Sequence, residues 1–339
     1  MTNYYNDVYI KDKYSLLASK KYNPVVIPNV NKIIEDYYMG EKSIELAESK
    51  YQEITIKYLK NKYKKIDLII SGDLQNQILS STLASSKFKL PTLGIYSACA
   101  SFIEGIIIAS SIINNNKCNI IVSTSSHNLV SEKQFRFPVE YGAVRKRVNT
   151  CTASGSVSAI ITNEKSNIKI ESSTIGFITQ TNHKDANDMG SAMAPSCAEV
   201  LNMHLKNTNR SIDYYDLILT GDLGEYGLKI MKRYFKIING KSLNNVIDSG
   251  TIFYKDKNIY AGASGPACLP LVFFDYIIPK KKYKRILLIG TGSMHSVTST
   301  NLKVPIPSIS HAIGLEVNCW YIFILSYFVD LYVLYLNTF

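Results

Sequence analysis

A cysteine at a turn between two predicted elements is the residue of this chain best placed to act as a nucleophile. Cys99 lies in the small-residue segment 97–101, after a short apolar stretch and before an apolar segment of helical character at 102–113. The unpaired N–H groups and the dipole of a helix N-terminus favour an anion, which predicts a lowered thiol pKa. The alternative is that a cysteine among alanines and serines is packed in the core. Its position alone leaves both interpretations open.

A second group of reactive side chains lies in a long segment whose hydrophobic pattern has no periodicity. Long loops in compact domains are often functional. Segment 127–149 contains His127, Arg136, Glu140, Tyr141, Arg145, Lys146 and Arg147. We therefore predict a functional loop here.

The chain repeats itself, which indicates how these groups are positioned. Residues 67–74 (DLIISGDL) return as 216–223 (DLILTGDL), and 120–124 (IIVST) are echoed by 287–291 (LLIGT). Ordered repeats are a signature of the whole fold. They predict a duplicated unit, with a pocket where the two halves meet.

Apolar strands alternate with helices along the chain. Helical patterns lie at 42–64, 102–113, 194–205, 228–235 and 269–278, and strand patterns at 66–71, 93–96, 120–123, 155–162, 217–220 and 286–289. Strands that are apolar throughout are buried on both faces, which favours an α/β fold.

Composition excludes several classes of function. The net charge of +11 is spread along the chain without a basic stripe carrying stacking aromatics, which argues against nucleic-acid binding. The six cysteines form no CxxC pair, so neither a zinc site nor a disulfide framework is predicted, and no metal site is assigned. The polar N-terminus, 1–13, does not resemble a signal peptide, and we expect synthesis in the cytoplasm.

The C-terminus is unusual because residues 320–336 are apolar or aromatic apart from Ser326 and Asp330. This stretch is slightly short for a membrane-spanning helix and has no Lys or Arg flank. Three interpretations remain: a membrane-contacting anchor, a core element, or a tail foreign to the domain, such as a fusion remnant or a frameshifted end. We favour a foreign tail, because the family pattern described next ends near Glu316.

Several short motifs occur in an order that resembles one known family. The segment 96–105 (YSACASFIEG) resembles the nucleophile turn of the thiolase and ketoacyl synthase superfamily. The stage V sporulation protein AD family is a closer likeness, carried by the ordered segments 71–76 (SGDLQN), 125–128 (SSHN), 134–138 (QFRFP), 140–142 (EYG), 188–195 (DMGSAMAP), 219–223 (LTGDL), 307–309 (PSI) and 311–312 (HA). It runs from about Tyr58 to Glu316, and residues before Tyr58 match only loosely.

The resemblance implies a fold and a role. The fold would be a duplicated thiolase-like α/β unit in five layers (α-β-α-β-α), with halves at 1–165 and 166–317 and the apolar tail at 318–339. The role would be to bind dipicolinic acid, alone or as its calcium chelate, during uptake into the developing spore. The partners implied are membrane channel proteins at the inner spore membrane and a second copy of the chain. No cofactor is implied.

Departures from the superfamily pattern argue against catalysis. Condensing enzymes pair their cysteine with a histidine and with an asparagine or second histidine, but the matching turns here read Gly221-Asp222-Leu223-Gly224 and Gly262-Ala263-Ser264-Gly265. Condensation then has no evident base or oxyanion donor at those turns. An acyl transfer through Cys99, or a scaffold with a vestigial pocket, stays as an alternative.

In this fold, four turns would converge on one pocket and offer N–H groups to carboxylates. They carry Cys99, Asp222, Ser264 and Gly292. Arg136, with its bidentate fork, or His127 would hold the anion, unless both shape a subunit interface instead.

Two of the remaining candidates carry competing interpretations. Asp222 would either bind a calcium ion or cap the following helix, as Asp73 would in the other half. His311 is a further ligand candidate, although a lone histidine such as His295 or His311 more often satisfies a local hydrogen bond.

Overall fold

The computed structural model describes residues 1–18, 25–135, 145–255 and 261–318. The strands of its first half are β1 (Thr2–Tyr4), β2 (Tyr9–Ala18), β3 (Lys32–Ile34), β4 (Leu68–Gly72), β5 (Thr92–Gly94), β6 (Asn119–Ser126), β7 (Cys151–Thr152) and β8 (Gly155–Thr162). Its helices are α1 (Ile44–Lys62), α2 (Leu79–Ser86), α3 (Ser101–Ile113) and α4 (Asn128–Phe135). The α1 helix begins where the Ser43 hydroxyl accepts the Leu46 N–H, which is a standard N-terminal cap.

The second half repeats this alternation. Its strands are β9 (Ile168–Ile175), β10 (Thr179–Gln180), β11 (Leu217–Thr220), β12 (Val246–Asp248), β13 (Ala263–Ser264), β14 (Arg285–Ser293) and β15 (Pro307–Val317). Its helices are α5 (Met189–Asn207), α6 (Gly224–Asn239), α7 (Ser249–Phe253), α8 (Cys268–Val272) and α9 (Val297–Asn301). A π-helical turn, Phe273–Ile277, continues α8.

The sheet shows the duplication directly. Within the described residues the strand order is β12-β11-β14-β15-β9-β2-β8-β6-β4-β5, which reads as the same five-strand arrangement from either end. In each half three strands are parallel and the next is antiparallel, for example β5, β4 and β6 followed by β8. The halves join at β2 and β9 through Tyr9 and Ile10.

Helices cover the outer face of each half of the sheet, and further helices form a shared layer between the two halves. This arrangement gives the five layers that we predicted. The apolar helix α3 is the central layer, because its buried face packs in one core with strands of both halves: Val122 of β6, Leu288 of β14 and Ile313 of β15. The α1 helix covers the outer face of the first half, and α5 and α6 cover that of the second. The predicted fold class is thus confirmed, while the boundary at residue 165 stays a prediction.

Three elements depart from the sequence-based expectations. The mixed, lysine-containing segment Tyr9–Ala18 is a central strand, because its neighbours β8 and β9 bury it. The last described strand is β15, not the one at 286–289, and it pairs antiparallel with β14 along the whole length of that strand. Part of the predicted loop at 127–149 forms the helix α4, whose weak apolar pattern gave no signal.

Candidate functional site

Cys99 lies on a tight turn that holds it at the N-terminus of α3. The preceding residue, Ala98, has a φ of 48°, a left-handed conformation that a residue with a side chain adopts only at some cost. The Ser101 hydroxyl accepts the Ser97 N–H (3.0 Å) and donates to the Ala98 carbonyl (2.8 Å), which closes the turn. The turn therefore holds Cys99 in one position, half-buried.

The thiol faces a carboxylate. Burial raises the pKa of Cys99 well above its usual value, and the charge of Asp222, to which the thiol donates a hydrogen bond, raises it further. The Gly265 N–H favours the thiolate but does not offset these two effects. Our prediction that the helix N-terminus lowers this pKa is wrong, because desolvation and a neighbouring anion outweigh the helix dipole.

Asp222 is held by one group from the turn after β13 and one from strand β14. Its carboxylate accepts the Gly265 N–H (3.0 Å) and the Thr291 hydroxyl (2.8 Å), and the residue is 1% exposed. Burial raises the pKa of Asp222 to about 6, although the hydrogen bonds from Cys99, Gly265 and Thr291 favour the ionised form. At neutral pH the thiol thus lies beside a largely ionised carboxylate.

The two aspartates of the repeat have different roles. Asp73 accepts the N–H groups of Gln75 (2.8 Å) and Ser81 (2.7 Å) and so caps the first turn of α2, as expected. Asp222 does not cap α6, because Asp248 accepts the N–H groups of Leu223 (2.9 Å) and Gly224 (2.9 Å) there. Asp222 is therefore free to point at Cys99 and Gly265.

Ser264 and Gly292 both border the Cys99 turn, as predicted. Ser264 lies on the short strand β13 and accepts the Thr150 hydroxyl (2.9 Å). At Gly292 any side chain would overlap the Ser97 carbonyl oxygen. Glycine at this position lets β14 approach the cysteine turn closely.

Cys99 and Ser264 line a small cavity, and a largely aromatic wall separates this cavity from a larger groove; Asp222 and Gly292 lie behind the lining. The cavity beside Cys99 and Ser264 has a volume of about 20 Å³, which is room for about one water molecule. Leu74, Tyr96, Phe135 and His295 line both this cavity and an outer groove of about 400 Å³. We call these four residues the wall.

The two other histidine candidates do not line the cavity. His127 is buried under α1, where Nδ1 accepts the Leu129 N–H (3.2 Å) and Nε2 donates to the Tyr37 carbonyl (3.2 Å). The Nδ1 atom of His311 accepts the Gly176 N–H (3.3 Å). Burial lowers the pKa of each imidazole to about 4, so both are neutral at physiological pH. Arg136 lies outside the described residues.

Sequence reasoning missed the wall. His295 was set aside as a lone histidine, and Phe135 and Tyr96 were not singled out. A signal existed for Tyr96 and His295, since each lies three residues from a predicted pocket turn, at Cys99 and Gly292 respectively. Phe135 had no local signal, because it reaches the cavity from α4.

Comparison with known proteins identifies the family. The family model for stage V sporulation protein AD matches residues 2–316. The chain belongs to the stage V sporulation protein AD family. It is 34% identical over 295 residues to the stage V sporulation protein AD of Bacillus subtilis (strain 168), with 84% of this chain and 87% of that protein covered.

Solved structures show the same fold at low sequence identity. Cerulenin-bound OleA of Xanthomonas campestris superposes with a TM-score of 0.59 at 13% identity, covering 92% of this chain and 100% of the other. A 3-oxoacyl-(acyl-carrier-protein) synthase III superposes with a TM-score of 0.55 at 11% identity, with the same coverage. The thiolase-like fold is thereby confirmed.

The family match also corrects one boundary and leaves the tail open. It begins at residue 2, so the loose likeness that we saw before Tyr58 was an underestimate. The strands β1 to β3 belong to the family domain. Within the four described ranges, no helix has both the length and the apolarity needed to cross a membrane. The tail 319–339 lies outside those ranges.

Proposed function

We propose that this chain binds dipicolinic acid beside the Cys99 turn during uptake into the developing spore and catalyses no reaction on it. Membership of the sporulation family supports the biological context. The pairing of Cys99 with Asp222 carries the non-catalytic part of the proposal. A nucleophilic thiol needs a base or a cation beside it, and a carboxylate anion disfavours the thiolate instead.

The dimensions of the site indicate where the ligand binds. Dipicolinate is a flat aromatic ring with two carboxylates, and a cavity of about 20 Å³ cannot hold it. The outer groove of about 400 Å³ is large enough, and Tyr96 and Phe135 offer it aromatic surfaces. We place the ring against the wall in this groove, so Cys99 is reached only if the wall moves.

The bound dicarboxylate needs a positively charged partner that offsets its repulsion by the Asp222 carboxylate. Arg136 follows Phe135 directly in the sequence, and a guanidinium binds a carboxylate through two parallel hydrogen bonds. A calcium ion chelated by the ligand is the other source of positive charge. In the part of the chain that the structure describes, no group of three or more acidic, histidine or cysteine side chains is arranged to hold a metal ion.

Calorimetric titration of the full chain with dipicolinate, with and without equimolar calcium, tests the proposal. We expect saturable binding, weakened about tenfold or more by Arg136→Ala or Phe135→Ala. Arg233→Ala, which removes an exposed guanidinium from α6, is the matched control and should bind like wild type. Isophthalate, which lacks the ring nitrogen, reports whether chelation contributes. No heat and no thermal shift in either ionic form would exclude dipicolinate binding.

One observation favours a second function, acyl transfer. The His295 imidazole lines the same cavity as Cys99 and could serve as a base that the two matching turns lack. Incubation with an acyl-CoA, followed by mass spectrometry, separates the two functions. An acyl adduct that disappears in Cys99→Ala would establish the enzyme, whereas an unmodified protein that binds dipicolinate would establish the binder.

A homodimer is also part of the proposal. Among the described strands β5 ends the sheet, and all three of its residues, Thr92, Leu93 and Gly94, are exposed. An exposed edge strand offers unpaired N–H and C=O groups to a second copy of the chain. We expect light scattering to show a dimer, and Leu93→Lys to shift it toward monomer. Leu302→Lys, at an exposed site on the loop before β15, is the control. A monomeric wild-type chain would refute the dimer.

A further inference from the structure

The end of the sheet opposite the Cys99 site carries a dense group of cations. The connection from the π-helical turn into β14 contains Lys280, Lys281, Lys282, Lys284 and Arg285, all exposed. The Lys280 ammonium lies 3.6 Å from the centre of the Tyr276 ring, and the Arg285 guanidinium lies 4.4 Å from that of Tyr214. Cationic groups here lie over amphipathic aromatic rings.

More exposed lysines lie at the same end, because chain topology brings other termini there. This end holds the last turn of α1, the segments before β4 and β6, and the connection from β8 to β9. Together with the five cations above, these positions form what we call the basic face; they are Lys60, Lys62, Lys64, Lys65, Lys117 and Lys165.

Fewer acidic residues lie at this end, and most of them form ion pairs or accept backbone N–H groups. Asp12 pairs with Lys62 (2.7 Å) and Asp67 with Lys65 (3.2 Å), while Glu164 pairs with Lys11. The Asp216 carboxylate accepts the N–H groups of Lys284 (2.7 Å) and Arg285 (2.9 Å). The other acidic residues here are Asp7, Asp213, Glu316 and Glu171, the last of which pairs with Arg210 (3.4 Å) beside Tyr214. The basic face therefore retains a positive excess, as does the chain with its net charge of +11.

The apolar C-terminal stretch starts from this same face. The Val317 N–H donates to the Lys284 carbonyl (2.7 Å), and the Asn318 N–H donates to the Asn167 carbonyl (2.8 Å). Residues 319–339 follow, with a sequence dominated by Tyr, Phe, Leu, Ile and Val. The described chain thus ends at the basic face, and the apolar sequence follows from that point.

We propose that the basic face binds the surface of an anionic phospholipid membrane and turns the Cys99 site away from it. Lysines near an anionic bilayer each add to the binding, and stable attachment takes two signals, commonly one apolar and one polybasic. A nucleic acid or an acidic protein would use the cations but gain nothing from an adjoining apolar segment. This inference rests on the uptake role in the proposed function, for which the family resemblance implies membrane channel partners, and it specifies the face of the protein and the chemistry of the membrane surface.

Vesicle co-sedimentation of the full chain tests the proposal. The triple variant Lys280→Gln, Lys281→Gln, Lys282→Gln removes part of the basic face. The matched control replaces Lys42, Lys184 and Lys303 by glutamine, which removes the same charge from exposed positions at the Cys99 end. In about 0.15 M salt we expect wild type to bind phosphatidylcholine vesicles that contain phosphatidylglycerol. The first variant should lose at least tenfold in partition coefficient, and the control less than twofold.

Several outcomes would overturn the inference. Equal binding of both triple variants would place membrane contact elsewhere, and no binding of wild type to anionic vesicles would exclude direct lipid attachment. Binding of duplex DNA that is tighter than vesicle binding would assign the face to nucleic acid. Dipicolinate titration of the same variants separates this inference from the proposed ligand function, because the basic-face variant should retain wild-type affinity at the opposite end.

Discussion

Replacement of Asp222 by asparagine is expected to make Cys99 about ten to a hundred times more reactive toward iodoacetamide at pH 8. The wild-type thiol donates to an ionised carboxylate, which raises its pKa, and only the thiolate is alkylated. Removing a neighbouring charge shifts a pKa by about one to three units. The asparagine can still accept the Gly265 N–H, so the turn keeps this contact.

Peptide mass spectrometry measures the rate at each cysteine separately. Cys118 is also partly exposed and lies at the opposite end of the sheet, so it serves as an internal reference in the same sample. Asp216→Asn, an exposed aspartate at that end, is the matched control and should leave the Cys99 rate unchanged. If Cys99 in Asp222→Asn reacts no faster than in wild type, then the carboxylate does not control the thiol.

This result bears on the choice between binder and enzyme. A carboxylate that disfavours the thiolate would slow an acyl-transferring enzyme, whereas it would not affect a protein that binds its ligand without forming a bond. A reactive Cys99 in wild type would instead support the second function, with His295 as the base. The rate of Cys99 alkylation therefore tests both the effect of Asp222 on the thiol and the non-catalytic part of the proposed function.

Local sequence patterns predicted which segments form the site, whereas contacts between distant residues determine the protonation and contacts of its side chains. The turn at Cys99 and the segments around Asp222, Ser264 and Gly292 were readable because each is a short run beside an apolar strand. The contact between the Asp222 carboxylate and the Cys99 thiol could not be predicted, because Asp73 and Asp222 occupy equivalent positions in the repeat. Their roles differ because Asp248, and not Asp222, accepts the N–H groups at the start of α6. Phe135 likewise reaches the cavity from α4, a helix with little amphipathic pattern.

The strand β2 illustrates the same limit in the fold. Its sequence, with lysine at positions 11 and 13 and aspartate at 12, reads as a surface segment. Its first two residues, Tyr9 and Ile10, join the two halves of the sheet, and the Lys13 ammonium pairs with the buried Asp275 carboxylate. A buried partner more than 200 residues away is invisible to any local pattern. Pairing across the sheet therefore set the burial of this segment.

Raising the pH from 6.5 to 8 is expected to destabilise the fold, and Glu48→Gln is expected to weaken that dependence. Glu48 is 1% exposed on α1, where its carboxylate accepts Gln75 Nε2 (3.0 Å) and Ser125 Oγ (3.1 Å). Burial, followed by the charge of Asp73, raises the pKa of Glu48 well above its usual value. Burial likewise raises the pKa of Asp248 to about 7. These groups hold protons in the folded state that the unfolded chain releases near pH 4.

The sign of the dependence follows from the protons bound in each state. Burial lowers the pKa of His127 to about 4 and that of His204 to about 3, so these imidazoles oppose the carboxyl groups below pH 6.5. Histidine in the unfolded chain is about half protonated at pH 6.5 and mostly neutral by about pH 7.5, so this opposition fades across the tested range. The folded state then binds more protons than the unfolded one, so stability falls as pH rises, by about 1.4 kcal/mol per unit for each such group.

Urea unfolding at pH 6.5, 7.25 and 8 measures this slope. In Glu48→Gln the amide replaces the protonated acid and cannot ionise, so the variant should exceed wild type by about 1 to 2 kcal/mol at pH 8. Glu45→Gln is the control on the same helix. Burial opposes ionisation of Glu45, but the Lys133 ammonium (2.8 Å), the backbone N–H of Glu45 and the Ser43 hydroxyl together offset it and hold the pKa of Glu45 below its usual value. This variant should lose a little stability and keep the wild-type slope, whereas an unchanged slope in Glu48→Gln would mean that Glu48 is ionised in the fold.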